Sequence, residues 1–366
     1  MLVICPYPPG VAAGQRLKFE QYYDDWRAAG WEVDVAPFMD LGLWRVLFER
    51  GHVGEKSLGV AKGYARRARD LFRLGSYDLV YCHMFVTPLG TAMAERVTRA
   101  LARKLVYDVE DNVMAHVDGF DRFGRDHPNR LLRFLRGPGK YRFLVREADH
   151  VVTSSPALNE RCKTINRHAG ATYISSSVDA DRFRPANRYS NDVVVVTIGW
   201  TGTFSSRPYL DLLRGVLQKL AAERHFRLRV IGNFDYELPG VDLDVVRWTA
   251  EREIEDLQAI DIGLYPLPAD EWVSGKSGLK AIQYMMMGIP CVATDVGTTP
   301  LIIRHDENGL LVRTEEEWLE ALKKLLDDAD LRRRLGEAAR RDASAKYSTK
   351  AIAAQYRGVL ENVMES

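Results

Sequence analysis

The sequence of 366 residues is poor in several patterns, and each absence excludes a class of protein. Its four cysteines are scattered without metal-site spacing, and three lie in or beside apolar segments, as core thiols do. No apolar run reaches the roughly 18 residues of a transmembrane helix, and the N-terminal one is too short for a signal peptide. The net charge of +1 argues against a dedicated nucleic-acid-binding protein. We therefore expect a globular, cytoplasmic protein.

Motifs for metal-dependent chemistry are also missing from the sequence. The adjacent aspartate pairs, Asp24–Asp25 and Asp327–Asp328, fall within helical patterns rather than in loops. No group of histidines and cysteines has the spacing of metal ligands. The sequence therefore predicts a protein that works without a metal ion or other cofactor.

Strand-like and helical segments alternate along the chain, which predicts parallel sheets with helical crossovers. The predicted strands lie near residues 2–5, 32–36, 79–82, 104–107 and 150–153, and near 193–199, 227–231, 244–246, 262–265 and 291–293. Helical patterns are predicted at residues 16–29 and throughout the C-terminal segment. Both halves of the chain can thus form doubly wound α/β domains.

The domain junction is expected where polar residues and Pro185 interrupt these patterns. We predict an N-terminal Rossmann-like domain over residues 1–186 and a second one over residues 187–348. An amphipathic helix over residues 349–366 is predicted to pack back on the first domain.

The segment from Ser274 to Gly297 is the most informative part of the sequence. A loop of small residues leads into a short apolar helix, followed by a turn at Gly288 and a strand from Cys291. Open α/β folds bind ligands where helices begin and strands end. Lys280 lies near the predicted start of the helix amides, and this combination suits a phosphate group.

Strings in and around this segment resemble family-four glycosyltransferases of the GT-B fold. They follow the family's order over nearly the whole second half of the chain: residues 176–185 at the domain junction, 261–267, 280–285 and 288–290 in the donor-site block, and 308–312 in the next strand. The first half matches more loosely, at residues 78–83 and 106–111. The resemblance implies two Rossmann-like domains facing a cleft, with the nucleotide-sugar donor bound mainly by the second domain and the acceptor by the first.

The donor-site block departs from the family at two positions. The family usually has two glutamates eight positions apart, and this chain has Gly275 and Gln283 there, as in a glutamine-variant branch. Gln283 can still accept a hydrogen bond from the donor ribose, whereas Gly275 has no side chain for the transferred sugar. We expect Lys280 and the helix amides to bind the diphosphate of UDP or GDP.

Other candidate residues lie in loops after predicted strands or at the predicted helix start. Those for the donor are Lys276, Ser277, Gly278, Arg207, Thr201, Gly202, Gly10, Gly14 and Arg16, and those near the nucleobase are Gly232, Asn233 and Trp248. A glycine-containing turn permits close approach of the backbone to a phosphate or sugar. For Lys276 and Arg16, a solvated surface role is an equally good interpretation.

Three residues near the ends of first-half strands are candidates for catalysis. Glu110 and Asp111 lie where the family often has a histidine, and either carboxylate could orient an acceptor hydroxyl, act as its base, or cap a turn. His83 ends the preceding strand and has either a catalytic or a structural role. The resemblance implies metal-independent transfer with retention at the anomeric carbon.

The segment from Arg130 to Arg146 is basic with interleaved apolar residues. Such a segment can lie on an anionic membrane, or it can form a helix with a charged outer face and a buried apolar face. If it binds lipid, we expect the cytoplasmic protein to contact the inner face of the cell membrane.

The sequence leaves three functions open. The first is a retaining glycosyltransferase that moves a sugar from a nucleotide-diphosphate sugar to a glycan, lipid-linked or small-molecule acceptor in cell-surface polysaccharide or glycoconjugate biosynthesis. The second is a nucleotide-sugar epimerase on the same scaffold, which would need carboxylates around the donor sugar. The third is a non-catalytic nucleotide-sugar or glycan-binding subunit, which the absence of both glutamates supports.

Overall fold

The computed structural model describes residues 1–47, 49–110, 139–186 and 195–366. They form two compact units. The first contains Met1–Ser175, Ser274–Ser277 and Ile352–Ser366, and the second contains Ser176–Val273 and Gly278–Ala351. Asp111, most of the segment from Arg130 to Arg146, and the residues just after the predicted boundary at 186 lie outside the described residues.

The first unit is built on a parallel sheet with strand order β2-β1-β3-β4-β5-β6. Its strands are β1 (Leu2–Cys5), β2 (Asp34–Pro37), β3 (Val80–His83), β4 (Leu105–Val109), β5 (His150–Thr153) and β6 (Ala171–Tyr173). Its helices are α1 (Ala13–Arg16), α2 (Tyr23–Ala28), α3 (Leu41–Leu47), α4 (Val53–Arg73), α5 (Met93–Leu101), α6 (Gly139–Glu147) and α7 (Pro156–Ile165), with 3₁₀ turns at Glu20–Tyr22 and Leu74–Ser76. The chain reverses its winding direction between β1 and β3, a point where such sheets bind ligands.

The second unit has a parallel sheet with strand order β12-β11-β10-β7-β8-β9. Its strands are β7 (Thr197–Thr201), β8 (Arg227–Gly232), β9 (Asp242–Arg247), β10 (Ile262–Tyr265), β11 (Cys291–Thr294) and β12 (Leu310–Val312). Its helices are α8 (Arg207–Asp211), α9 (Arg214–Glu223), α10 (Glu253–Gln258), α11 (Leu279–Met286), α12 (Thr299–Ile302), α13 (Glu315–Asp327) and α14 (Ala329–Lys346). This is the dinucleotide-binding strand order, with its switch point between β7 and β10.

The strands form where the sequence has continuous apolar runs, because both faces of a parallel sheet are covered by helices. All four residues of β1 and all four of β10 are buried, for example. The prediction of two doubly wound domains is therefore confirmed. Strand β6 was not predicted, since its three residues, one of them a threonine, are too few to show a pattern.

The helix predicted at residues 16–29 is interrupted. It consists of α1, a 3₁₀ turn and α2, and the break lies near Phe19. The Glu20 carboxylate accepts hydrogen bonds from the Gly10 amide at 2.8 Å and from the Gln15 side chain. These bonds draw Glu20 toward the loop after β1. The regular helix is interrupted there, although the helical pattern of the sequence continues.

The last helix, α15 (Thr349–Glu365), begins in the second unit and belongs to the first from Ile352 onward. Its apolar face joins the first unit's core, which includes Trp26, Tyr81 and Tyr356. Among the described helices, none is both long enough and apolar enough to cross a bilayer.

Candidate active site

The start of α11 is shaped by a glycine with a left-handed backbone. Gly278 is the N-cap residue, with φ +74°, and it provides no side-chain cap for the helix. A Cβ atom at this position would clash with Cδ1 of Ile302 and approach the Thr298 hydroxyl at 3.3 Å. The first amides of an α-helix have no partner within the helix, so those of α11 point to a location suited to an anion.

Lys280 lies in the first turn of α11, with its ammonium against an aromatic ring. Its Nζ is 4.4 Å from the centroid of the ring of Trp200, a fully buried residue of β7. A cation near a helix N-terminus is disfavoured by the helix dipole by about 0.3–1 kcal/mol, whereas the contact with the ring is favourable. An anion at the same place would convert this electrostatic cost into a gain.

Gln283 follows Lys280 by one helical turn, and residues at this spacing share a helix face. Its side chain is buried, at 6% exposure. The structure thus brings the two strongest sequence candidates together on α11. Gly275, Lys276 and Ser277 group with the first unit, where the Ser154 hydroxyl donates to the Gly275 carbonyl at 3.1 Å.

The loop after β7 and the turn after β8 pack against each other. The Gly202 amide donates to Ile231 at 2.9 Å, and the Phe204 amide donates to Oδ1 of Asn233 at 2.8 Å. A Cβ atom on Gly232 would lie 2.8 Å from the Gly202 carbonyl oxygen. Gly202, Gly232 and Asn233 therefore form one packed surface at the carboxyl end of these strands.

Two of the predicted donors are already used by the fold. The Thr201 amide donates to the Tyr284 hydroxyl at 3.1 Å, and the Gly202 amide is bonded to the carbonyl of Ile231. These residues therefore shape the site by packing instead of presenting free amides. Trp248 adjoins the same turn, since its amide donates to the Gly232 carbonyl at 2.9 Å.

Arg207 begins α8 and is half-exposed. Its Nε lies 3.5 Å from Oδ2 of Asp211, and its guanidinium carbon lies 5.7 Å from the centroid of the Tyr236 ring. The cation predicted to supplement Lys280 is thus directed toward its own helix. A phosphate contact would require a change of its rotamer.

In the first unit, Glu110 follows β4 and lies against the loop after β1. Its Oε2 is 2.8 Å from the position that a Cβ atom on Gly14 would occupy, so the glycine makes room for this carboxylate. Gly10 and Arg16 belong to the same loop and helix start. Buried Gln15 holds the loop by donating to the Tyr7 carbonyl at 2.9 Å.

His83 ends β3 in the interior of the first unit, at 1% exposure. Its Nδ1 lies 3.5 Å from Oδ2 of Asp108, and its ring centroid lies 4.9 Å from that of Phe19. A catalytic role would require His83 to reach a substrate, yet its side chain has almost no accessible surface. The environment matches the structural alternative, in which His83 supports Asp108.

Asp108 is the centre of a buried charged group that the sequence did not reveal. The Lys18 ammonium contacts Oδ1 of Asp108 and also donates to the Val109 carbonyl at 3.2 Å, and the Tyr81 hydroxyl donates to Oδ2 at 2.6 Å. Burial alone would raise the pKa of Asp108, but Lys18 and His83 lower it to about 2. Lys18 and Asp108 thus hold the backbone directly before Glu110.

The described residues contain no group of three or more histidine, cysteine, aspartate or glutamate side chains placed to bind a metal ion. The candidate residues of the second unit are instead helix amides, Lys280 and polar side chains, and Glu110 is a separate candidate in the first unit.

Comparison with known families gives a match to much of the second unit. Residues 195–328 match the family model described as "Glycosyl transferases group 1". The matched region is somewhat more than a third of the chain. It contains Lys280, Gln283, Trp200 and the loops that surround them. Of the predicted donor residues, only Gly10, Gly14 and Arg16 lie outside the matched part.

The curated relatives of this chain include D-inositol 3-phosphate glycosyltransferases from several bacteria. The protein from Corynebacterium aurimucosum is 33% identical over 126 residues, covering 33% of this chain and 28% of the relative. The protein from Saccharomonospora viridis is 25% identical over 345 residues, covering 84% of this chain and 76% of the relative. The match spans less than a third of the length of three relatives. They are the Corynebacterium aurimucosum protein, the N-acetyl-alpha-D-glucosaminyl L-malate synthase of Bacillus anthracis and the D-inositol 3-phosphate glycosyltransferase of Pseudarthrobacter chlorophenolicus.

Solved structures confirm the fold class, which is two parallel-sheet Rossmann-like domains of the kind found in GT-B glycosyltransferases. Sucrose-phosphate synthase from Thermosynechococcus elongatus has a TM-score of 0.71 at 15% identity, with 100% of this chain and 99% of that chain covered. HepE from Anabaena, in complex with UDP, has a TM-score of 0.65 at 17% identity, with 99% of each chain covered.

Proposed function

We propose that this protein is a retaining, metal-independent glycosyltransferase that moves a sugar from a nucleotide-diphosphate sugar to a glycan, lipid-linked or small-molecule acceptor. Cell-surface polysaccharide or glycoconjugate biosynthesis is the proposed setting. The observation that carries this proposal is the Lys280 ammonium, held against Trp200 in the first turn of a helix that has no side-chain cap. The group 1 glycosyltransferase match over the same residues supports it.

The donor diphosphate would bind at the start of α11. Its negative charge would meet the first-turn amides and Lys280, and charge-assisted hydrogen bonds of this kind are stronger than neutral ones. As the glycosidic bond breaks, the charge on the leaving diphosphate grows, and the same groups stabilise it without a metal ion. UDP is our first choice of nucleotide, because HepE of the same fold was solved with UDP.

Gln283 would bind the donor ribose through its side-chain amide. Its carbonyl oxygen can accept a hydrogen bond from a hydroxyl, and its NH₂ group can donate one. A neutral side chain at this position adds no negative charge beside the diphosphate. Gly275 offers only backbone groups, so recognition of the transferred sugar falls to its neighbours, which include Ser277 and Lys276.

Glu110 in the first unit would orient the acceptor hydroxyl. In the proposed front-face reaction, the acceptor oxygen bonds to the anomeric carbon on the face from which the diphosphate leaves. The hydroxyl proton passes to an oxygen of the leaving diphosphate, which makes a covalent enzyme intermediate unnecessary. Lys18 and Asp108 keep the backbone before Glu110 in place.

The glutamate-free donor block favours one alternative, a non-catalytic nucleotide-sugar-binding subunit. Gly275 and Gln283 remove both carboxylates that the family usually has. Such a subunit would bind nucleotide sugars tightly and leave them intact, whereas the enzyme would release the nucleotide diphosphate at least slowly through transfer to water.

The experiment that separates these functions is turnover of a panel of UDP- and GDP-sugars, followed by proton NMR of the products. We expect release of the nucleotide diphosphate, the donor's anomeric configuration in the first-formed product, and equal rates with and without EDTA. An inverted product would refute retention, and a loss of rate in EDTA that added metal restores would refute metal independence. Binding without turnover for the whole panel, with varied acceptors, would favour the subunit.

A further inference from the structure

The outer face of α4 carries two parallel rows of side chains. Residues spaced by three and four positions lie along one side of a helix. The apolar row consists of Leu58, Ala61, Ala65, Ala68 and Phe72, and the basic row beside it consists of Lys62, Arg66, Arg69 and Arg73. All nine residues are exposed except Arg66, which is partly buried. We call these nine residues the α4 outer face.

The apolar row is unusually open to solvent. Phe72 is 90% exposed and Leu58 is 58% exposed. Both would gain from transfer out of water, since burying apolar surface is favourable in proportion to its area. Exposed apolar side chains gathered on one helix face mark an interaction surface more often than scattered ones do.

Close packing and buried hydrogen bonds fix the inner side of α4, so the helix cannot rotate about its axis to bury the apolar row. Gly59 and Gly63 let the helix pack closely against Leu43 and Phe38. Cβ atoms at the two glycines would lie 2.9 Å from Leu43 and 2.6 Å from the Phe38 ring. Buried Arg67 donates to the carbonyls of Val86, at 2.8 Å, and Ala36, at 3.0 Å. The α4 outer face therefore stays outward in the folded first unit.

The basic row gives this surface its charge. Arg66 pairs with Asp40 at 3.1 Å, and Arg73 pairs with Asp34 at 3.3 Å. Within the described part of the chain, Lys62 and Arg69 have no ion-pair partner. A cavity of about 210 Å³ opens between α4 and β2, and Arg66, Arg69 and Arg73 line it together with Asp34 and Asp70.

We propose that the α4 outer face docks on an anionic lipid bilayer. A helix in the interfacial plane buries its apolar row at the boundary of headgroups and acyl chains, while its basic row meets anionic headgroups. The cavity beside Arg69 receives a headgroup phosphate. With 21 residues, α4 is about 30 Å long, so the contact extends along a broad strip of membrane.

Charge complementarity selects lipid over a second copy of this chain. In a two-fold symmetric pair, the same patch faces itself, so the basic row would lie against another basic row. Repulsion between like charges opposes that arrangement, whereas an anionic surface attracts Lys62 and Arg69, the two cations of the row that form no ion pair within the described part of the chain. The proposal does not depend on the donor site, and it does not involve the basic segment from Arg130 to Arg146.

The test is cosedimentation of the full chain with vesicles. Phosphatidylcholine vesicles containing phosphatidylglycerol are compared with pure phosphatidylcholine vesicles, at low and high salt. We expect binding to the anionic vesicles only, and its loss at high salt because counterions screen the basic row. K62Q/R69Q should weaken binding at least about fivefold, the factor expected for loss of a single cation near an anionic surface. L58S/F72S should also weaken binding, because the two largest apolar side chains of the row would no longer enter the interface.

The matched controls are L212S and R341Q, which alter exposed residues of the second unit and should leave vesicle binding unchanged. Circular dichroism melting confirms that every variant is folded. Equal binding to neutral vesicles, or anionic binding that neither double variant weakens, would overturn the proposal. So would a dimer that F72S dissociates, or binding of glycerol phosphate without any binding to vesicles.

Discussion

At the scale of single residues, two glycines make room for neighbouring side chains in the candidate regions. Gly278 adopts φ +74° at the start of α11, where a side chain would clash with Ile302. Gly14 leaves space for the Glu110 carboxylate beside the loop after β1. The missing Cβ thus makes room for an apolar side chain at Gly278 and for a carboxylate at Gly14.

Replacing Gly278 by alanine should damage both the fold and the donor site. A left-handed backbone disfavours alanine by about 1–2 kcal/mol, and the clash adds overpacking. We expect the free energy of unfolding of the second unit to fall by about 2 kcal/mol or more in urea, together with weaker UDP binding. Gly215→Ala is the matched control, since a Cβ there meets nothing within 4 Å and alanine favours helix. Equal stability of G278A and G215A would contradict this role.

Asp108 makes stability depend on pH in a defined direction. Its pKa is lowered from 3.8 in a model peptide to about 2 by Lys18 and His83, which outweigh the opposing effect of burial. A group whose pKa is lowered by folding stabilises the fold above its unfolded pKa and loses that effect as pH falls toward the folded pKa. The stabilising contribution of Asp108 is therefore complete at pH 7 and fades between about pH 4 and pH 2.

The variant Asp108→Asn tests this dependence. It leaves Lys18 buried without its counter-charge, which costs about 3–5 kcal/mol. We expect a large loss of unfolding free energy at pH 7 and a smaller difference from the wild type at pH 3, both measured by urea denaturation. A difference that stays constant from pH 7 to pH 3 would show that folding does not lower the pKa of Asp108.

At the scale of elements, α15 belongs to the core of the first unit. Tyr356 is fully buried, with its ring centroid 4.8 Å from that of Tyr22 and 5.9 Å from that of Trp26. The first unit's core is thus completed by residues from the far end of the chain. Folding of β1, β3 and α2 should depend on the last helix.

Truncating Tyr356 to alanine should therefore loosen the first unit selectively. Replacing a buried large aromatic side chain by alanine costs about 3–5 kcal/mol. We expect faster hydrogen exchange in peptides covering β1, β3 and α2, and unchanged exchange in β7 and β10. Gln355→Ala, at an exposed position of the same helix, serves as the control. Uniform loss of protection in both units would contradict this assignment.

Local sequence could predict the sheets and the start of α11, because both depend on neighbouring residues. Apolar runs mark buried strands, and Gly278 before an apolar helix marks a helix start. The pair Lys18–Asp108 could not be predicted, since its partners are far apart in sequence and meet only because the turn after α1 packs against β4. The contact of Lys280 with Trp200 was hidden for the same reason.

At the scale of the whole molecule, the chain joins two doubly wound units with different candidate roles. The second contains the group 1 glycosyltransferase match and the start of α11, and the first contains Glu110 and the α4 outer face. Function on such a fold depends on the particular site, so the central claim concerns one place: the diphosphate binds at α11, with Lys280 as its cation.

Isothermal titration of UDP into the wild type and Lys280→Ala tests that claim most directly. Hydrogen bonds to charged groups contribute about 1.5–3 kcal/mol, so we expect the Kd for UDP to rise at least about tenfold in K280A. Lys219→Ala removes an exposed lysine of α9 and should leave the Kd unchanged. If K280A binds UDP as tightly as the wild type, the diphosphate does not bind at α11 and the account is wrong.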